Sequence, residues 1–321
     1  MRSRWIRGLA LIVVVALLTA APLALSPFLV RVGLAMLLAA GFALSWYILG
    51  GFAAYYSFGH TAFIGIGAFA AALSTATWKL THWAAQLALG MSMAAVASAL
   101  IAALIAWPIL RLRGHYFTIA MLAVALVCAE IASAFPLFKG AIGLSLPNIA
   151  PLSVRVEVFF YWVALAVFVL AFVSTLAISR SRLGYGLYAI REDEDAAQML
   201  GVPTTRCKVI AFVVSAVLTG LLGSVFAWNL GYITTDSVFR GVLSLEMIVN
   251  CLVGGMGSLI GAVVGAVAMT ALTKLALADV QEYQFAISGL TIIAVVLLAP
   301  EGLIGILGHW RAKRMLAEDS R

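Results

Sequence analysis

Nine stretches of the chain, near residues 9–25, 29–48, 61–77, 84–107, 115–135, 157–178, 208–228, 257–277 and 284–299, are dominated by apolar residues. A helix needs about 20 such residues to cross the hydrocarbon of a bilayer. A shorter run, 242–254, lies between Gly241 and the pair Gly254-Gly255 and reads as a tenth span, short or broken. In lipid, backbone N–H and C=O groups must be satisfied within the protein, so open runs of this kind fold as helices. The expected architecture is all-α: a polytopic integral membrane protein with about ten spans. Composition excludes the alternatives. With 64% hydrophobic and 10% charged residues, against about 25% charged in an average soluble domain, the chain cannot hide its apolar surface as a soluble fold. Disorder needs the opposite bias, and three cysteines exclude a disulfide scaffold.

Ten spans put both termini on one side, and the cations choose the side. Of 20 Lys and Arg residues, 14 fall in loops on the terminal side, including Arg2, Arg111, Arg113, Arg180, Arg182, Arg191, Arg206, Lys208 and Arg311. The other 6 are Arg31, Lys79, Lys139, Arg155, Arg240 and Lys274. By the positive-inside rule both termini are expected in the cytoplasm. The net charge of +7 is thus used in topology, and the cations form no stripe suited to nucleic acid. Residues 1–21 resemble a signal peptide, with a basic start and a small-residue end. A retained first helix keeps the charge balance and is the expectation. The whole of 1–321 reads as a single transmembrane domain, whose longest polar stretch is the cytoplasmic loop 179–208.

Chemistry of other kinds lacks its residues. No Gly-Lys pair occurs, so no phosphate-binding loop can form, and no H-E-x-x-H or G-x-S-x-G motif is present. The histidines and cysteines are scattered, with no ligand spacing for a metal. The chain is expected to be no enzyme and to hold no cofactor or metal.

Polar residues inside apolar runs are costly and tend to face a bundle interior or a wet path. Glu246 and Asn250 are four residues apart in the short run and share a helix face. With His60, which begins the span 61–77, they are candidates for a translocation path. Glu130, near the end of its span, reads as an outer-boundary residue. Glycines open two spans: Gly59, Gly65 and Gly67 in one, Gly254, Gly255, Gly257, Gly261 and Gly265 in another, with Gly257, Gly261 and Gly265 at a spacing of four. Small residues at such spacing allow close helix packing, and the two segments look like a weak internal repeat of the kind transporters use.

The loop 179–208 carries one more signal. Gly184 and Gly186 are expected to break the preceding helix. Leu187–Leu200 reads as a short surface helix stopped by Gly201 and Pro203. Leu187, Ile190, Ala197 and Leu200 lie near one side, which Glu194 interrupts, and the run from Glu192 to Asp195 reads as a solvated face. Such an amphipathic helix can dock on a partner.

At this point the chain resembles a known family. Ala189-Ile-Arg-Glu-Asp-Glu-Asp-Ala-Ala followed by Gly201 is similar to the coupling loop of LivM-type permeases, the membrane subunits of branched-chain amino acid ABC importers. The resemblance continues in Ser57-Phe-Gly-His-Thr-Ala-Phe, Leu112-Arg-Gly-His-Tyr-Phe, Ala211-Phe-Val-Val-Ser and Thr219-Gly-Leu-Leu-Gly. It extends through Gly231-Tyr-Ile-Thr-Thr-Asp-Ser, Leu252-Val-Gly-Gly-Met-Gly-Ser-Leu-Ile-Gly and Pro300-Glu-Gly-Leu. It implies an ATPase-coupling role for Leu187, Ile190, Arg191, Glu192, Asp193, Ala197, Leu200 and Gly201. It further implies a second permease of the same fold (LivH type), two cytoplasmic ATP-binding subunits that hold the ATP, and an extracytoplasmic solute-binding protein. The expected location is the bacterial inner membrane. Three positions depart from the family pattern: Leu126 replaces a Glu, the outer loop reads Phe138-Lys-Gly-Ala-Ile-Gly143, and Asn250 replaces an apolar residue. They leave the coupling loop untouched and bear on the solute, which could be a branched-chain amino acid, urea, a short amide or an aromatic carboxylate. A stand-alone channel or secondary carrier is the alternative class, though neither needs a docking loop.

Overall fold

The computed structural model describes residues 2–78, 80–138 and 142–276, with positions 289, 302, 303 and 305; side chains are described from Val13 onward. The apolar run 284–299, the Pro300 motif, Lys79, Lys139 and the basic residues from Arg311 on lie outside the described residues.

The helices in chain order are α1 (Arg2–Ala24), α2 (Pro27–Ala53), α3 (Thr61–Thr77), α4 (Trp83–Ile109), α5 (Gly114–Ala134), α6 (Val156–Ser179), α7 (Arg182–Glu192), α8 (Glu194–Met199), α9 (Thr204–Leu230), α10 (Thr235–Val238), α11 (Gly241–Gly254) and α12 (Leu259–Ala271). A two-residue ribbon pairs β1 (Leu144–Ser145) antiparallel with β2 (Tyr232–Ile233). Six of the described helical segments are long and apolar enough to cross a membrane: Pro27–Ala53, Trp83–Ile109, Gly114–Ala134, Val156–Ser179, Thr204–Leu230 and Thr235–Gly254. Val13–Ala24, Thr61–Thr77 and Leu259–Leu275 are shorter apolar helices. The protein is therefore an all-α, multi-pass membrane protein. The short run near 242–254 is a helix of 14 residues, about 21 Å at 1.5 Å per residue, which is less than a bilayer core.

Local signals set the ends of these helices. Ser26 caps α2 by accepting from the Leu29 N–H, with Pro27 at the first helical position. Ser258 caps α12 in the same way through Gly261. At its other end α2 leaves the helix through Ala54, at φ 56°. This left-handed conformation costs a non-glycine residue about 1–2 kcal/mol.

The bundle is organised around α2 and α9, which run antiparallel. Tyr55 meets Lys208, Ser45 meets Ser215, and Gly41 meets Leu222. Rising numbers in one helix thus meet falling numbers in the other. Helices α3 and α4 pack on α9, while α6 and α12 pack on α2. Helix α1 rests on α6, where Tyr161 and Trp162 donate to the carbonyls of Leu18 and Thr19.

Residues 54–60 are not helical, yet they turn back into the bundle. Trp46 Nε1 donates to the Ser57 carbonyl at 2.8 Å. His60 Nε2 lies 2.7 Å from Ser215 Oγ, which donates to the Ser45 carbonyl at 2.6 Å. Ser45 is 8 residues from the end of α2, so α3 starts about 12 Å inside the rim at 1.5 Å per residue. The second break, 255–258, reaches nearly the same level of α2: Tyr47 donates to the Met256 carbonyl at 3.1 Å. The glycine-led segments compared in the sequence therefore both begin helices beside the turn of α2 that holds Trp46 and Tyr47.

A close backbone approach joins Gly67 of α3 to Gly220 of α9, where a side chain at Gly67 would overlap the Gly220 carbonyl. Gly67→Leu is expected to cost about 1–3 kcal/mol or more through overpacking and to lower the unfolding temperature in detergent. An unchanged unfolding temperature would show that α3 and α9 are not in backbone contact.

Candidate functional site: a polar junction beneath the bundle

The rim that carries α7 and α8 holds the densest polar network of the described residues. Its centre is Lys208, in the first turns of α9 and only 3% exposed. An ammonium has three protons to place. Here they go to Glu194 Oε1 at 2.6 Å, Tyr55 Oη at 2.9 Å and the Leu110 carbonyl at 2.9 Å. Tyr55 in turn donates to Glu194 Oε2 at 2.5 Å. Burial, then the hydrogen bond to Glu194, pushes the Tyr55 phenol up, so it remains a donor. Beside this triad Arg113 Nη1 donates to both Asp195 oxygens at 2.8 and 2.9 Å, and its Nε lies 3.6 Å from Glu194. The hydrogen bond to Asp195 raises the Arg113 pKa further. Arg191 Nη1 donates to the Gly51 carbonyl at 2.9 Å. One junction thus ties α7 and α8 to the end of α2, the start of α9, segment 54–60 and the α4–α5 link.

The loop differs from its expected form in three ways. It is two helices and not one: Asp193 ends α7 and caps α8 by accepting from the N–H groups of Asp195 and Ala196. Gly184 and Gly186 do not break α6; they lie inside α7, and the break falls at Arg180 and Ser181, with Ser181 capping α7. The apolar side faces inward. Leu187, Ile190 and Ala197 are 0%, 4% and 2% exposed and belong to the protein's own core. Their burial is already spent on this chain, so they offer no surface to a partner. The exposed apolar groups are instead Met199 and Leu200, at 90% and 84%, with Tyr185 on α7. Arg191, Glu192, Asp193 and Gly201 are exposed on the same rim. The acidic run is not simply a solvated face, because Glu194 turns inward to Lys208 and Asp195 holds Arg113.

The three candidate path residues are not brought together. His60 is enclosed between α2 and α9. Because Ser215 donates its hydroxyl hydrogen to Ser45, His60 donates from Nε2, and its Nδ1 is left as a buried acceptor without a partner among the described residues. Glu246 lies exposed on α11, whereas Asn250, one turn on, is buried. Glu130 is exposed near the end of α5. The glycines divide too: Gly59, Gly65, Gly254 and Gly261 sit where a side chain would strike a neighbour, Gly255 ends α11 at φ 109°, and Gly257 is exposed and meets no neighbour among the described residues. A cavity of about 790 Å³ lies between α4 and α5 over α3, lined by Ile66, Phe69, Ile101, Ile105, Val124, Cys128 and other apolar groups.

Tyr55, Arg113, Asp195 and Lys208 had no place in the sequence-level site. The usable signal was Glu194: an acid on the apolar side of a surface helix needs a buried cation, and Lys208 heads the next apolar run.

Residues 24–296 match the family model described as branched-chain amino acid transport system / permease component. The chain belongs to this family. It is 29% identical over 274 residues to the high-affinity branched-chain amino acid transport system permease protein LivM of Salmonella typhimurium, covering 77% of this chain and 63% of that protein. The Escherichia coli K12 LivM is 28% identical over the same length and shares. The autoinducer 2 import system permease protein LsrC of Enterobacter sp. is 30% identical over 156 residues, 46% of this chain and 45% of that protein. The chain spans 63% of the length of the LivM relatives.

Breaking a buried ion pair by removing one partner typically costs about 3–5 kcal/mol, because the other charge is stranded. Lys208→Met is therefore expected to lose that much stability, and Lys208→Met with Glu194→Leu to recover most of it. Equal unfolding temperatures for Lys208→Met and the native chain would remove the pair from the fold's support.

Proposed function

We propose that this chain is a membrane-spanning permease subunit of an ABC importer in the bacterial inner membrane, forming half of the translocation path for a branched-chain amino acid or a similarly small polar solute. The family match over residues 24–296 carries the reading. It is supported by the absence of a phosphate-binding loop in a chain whose α7–α8 rim exposes Met199 and Leu200. The energy source is then a pair of separate ATP-binding subunits docked on that rim. A second, LivH-type permease completes the path, and a solute-binding protein delivers the solute from outside. The exposed face of α11, with Val242, Leu245 and Glu246, is the candidate contact with the second permease. The solute class is tested by ligand screening of the cognate binding protein followed by uptake in reconstituted vesicles.

The charge asymmetry of the loops supports a cytoplasmic position for α7, α8 and both termini. A cysteine introduced at Arg155 is expected to react with an impermeant thiol reagent from outside, and one at Arg182 only from inside. The reverse pattern overturns the orientation.

Docking is expected to bury Leu200 and Met199, each worth about 1.5–3 kcal/mol when fully covered. Leu200→Glu should therefore weaken ATPase binding by about tenfold or more with no change in the permease's own unfolding temperature, since the side chain is exposed. Full ATPase co-purification with Leu200→Glu would exclude this surface as the docking site.

A further inference from the structure

Helix α5 touches its helix neighbours only sparsely. Its buried residues are Phe117, Met121, Ala125 and Ala132, a single narrow stripe. It begins at Gly114, at φ 56°, exposed and with no described residue near the position a side chain would take. A glycine in such open space lets the α4–α5 link rotate with little steric resistance. The first turns of α5 rest on non-helical chain. Thr118 Oγ1 donates to the Tyr56 carbonyl at 2.9 Å, and the Phe117 ring meets that of Tyr55 at 5.0 Å. The Met121 backbone lies against Gly59. Further along, α5 forms one wall of the cavity, with Cys128 among its lining residues.

Both elements are gripped by the same short helix. Glu194 accepts from Tyr55, which starts the re-entrant segment. Asp195, its neighbour, accepts twice from Arg113, the residue just before Gly114. We propose that Arg113 and Asp195 are positioning residues that couple α8 to α5. A displacement of α8 pulls Arg113, turns α5 about Gly114 and changes the cavity between α4 and α5. Cys128 stands 14 residues beyond Gly114, about 21 Å along the helix, so a small rotation at the pivot becomes a larger movement there. The Arg113–Asp195 pair is exposed and adds little to stability. It can therefore be cut without unfolding the chain, unlike the buried Glu194–Lys208 pair. The physiological drive on α8 rests on the proposed docking of an ATPase, but the link itself lies wholly within this chain.

The test uses the full chain in lipid nanodiscs and the rate of N-ethylmaleimide labelling at Cys128, read by peptide mass spectrometry. Asp195→Asn is expected to change that rate by about 2- to 5-fold, the range that losing one exposed ion pair of a coupling network produces. Asp195→Glu, which keeps the carboxylate, should restore it. Cys207 and Cys251, both buried, should stay protected in every variant. A Cys128 rate unaffected by Asp195→Asn, or one changed equally by Asp195→Glu, overturns the link. In the assembled transporter Asp195→Asn should lower uptake per ATP hydrolysed by a similar factor while hydrolysis continues; unaltered uptake per ATP overturns the role in transport. Should the native chain bind no ATPase, the importer reading falls, and the Cys128 rates still decide the link.

Discussion

Ser215 accepts a hydrogen bond from His60 and donates one to the Ser45 carbonyl, and that chain of two hydrogen bonds lets an irregular stretch of backbone sit deep among helices. Non-helical backbone at membrane depth is tolerated only where protein replaces the missing water. Segment 54–60 meets the condition with Trp46 bonded to Ser57, His60 to Ser215 and Thr61 to Ser244. Everything nearby follows from it. Helix α3 can start well inside the rim, α11 can be short, and α5 can lean on loop and not on a helix.

The polar junction at the rim is the other half of this arrangement. A buried lysine is costly unless each of its protons has a partner, and Lys208 has all three satisfied. The partners come from three different parts of the chain, so the junction fixes their relative positions. It also explains the inward turn of α7 and α8. Glu194 must reach Lys208, and that pulls Leu187, Ile190 and Ala197 into the core with it. What is left outside for another protein is the far end of α8, with Tyr185 on the outer face of α7.

Much of the architecture was legible in the linear chain. The apolar runs are long enough to declare themselves, since length against bilayer thickness is a one-dimensional test. The short helix at 241–254 and the helix starts at Thr61 and Leu259 fell within a few residues of the runs read from sequence. The loop fared differently. Its amphipathic pattern was real, but pattern alone does not say whether an apolar face meets its own chain or a partner. Glycine showed the same divide: Gly261 and Gly265 are packed as their spacing of four suggested, while Gly257 in the same series meets no described neighbour.

The sequence by itself determined that the chain lives in a bilayer, that it brings no phosphate loop, and to which family its motifs belong. These follow from composition and from short local patterns. Only the tertiary structure decided that Tyr55, Arg113, Glu194, Asp195 and Lys208 form one junction, and that His60 and Glu246 are apart. Their separations along the chain run to 153 residues for Lys208 and Tyr55. Such a pairing depends on the antiparallel packing of α2 and α9, a property of the bundle and of no single segment.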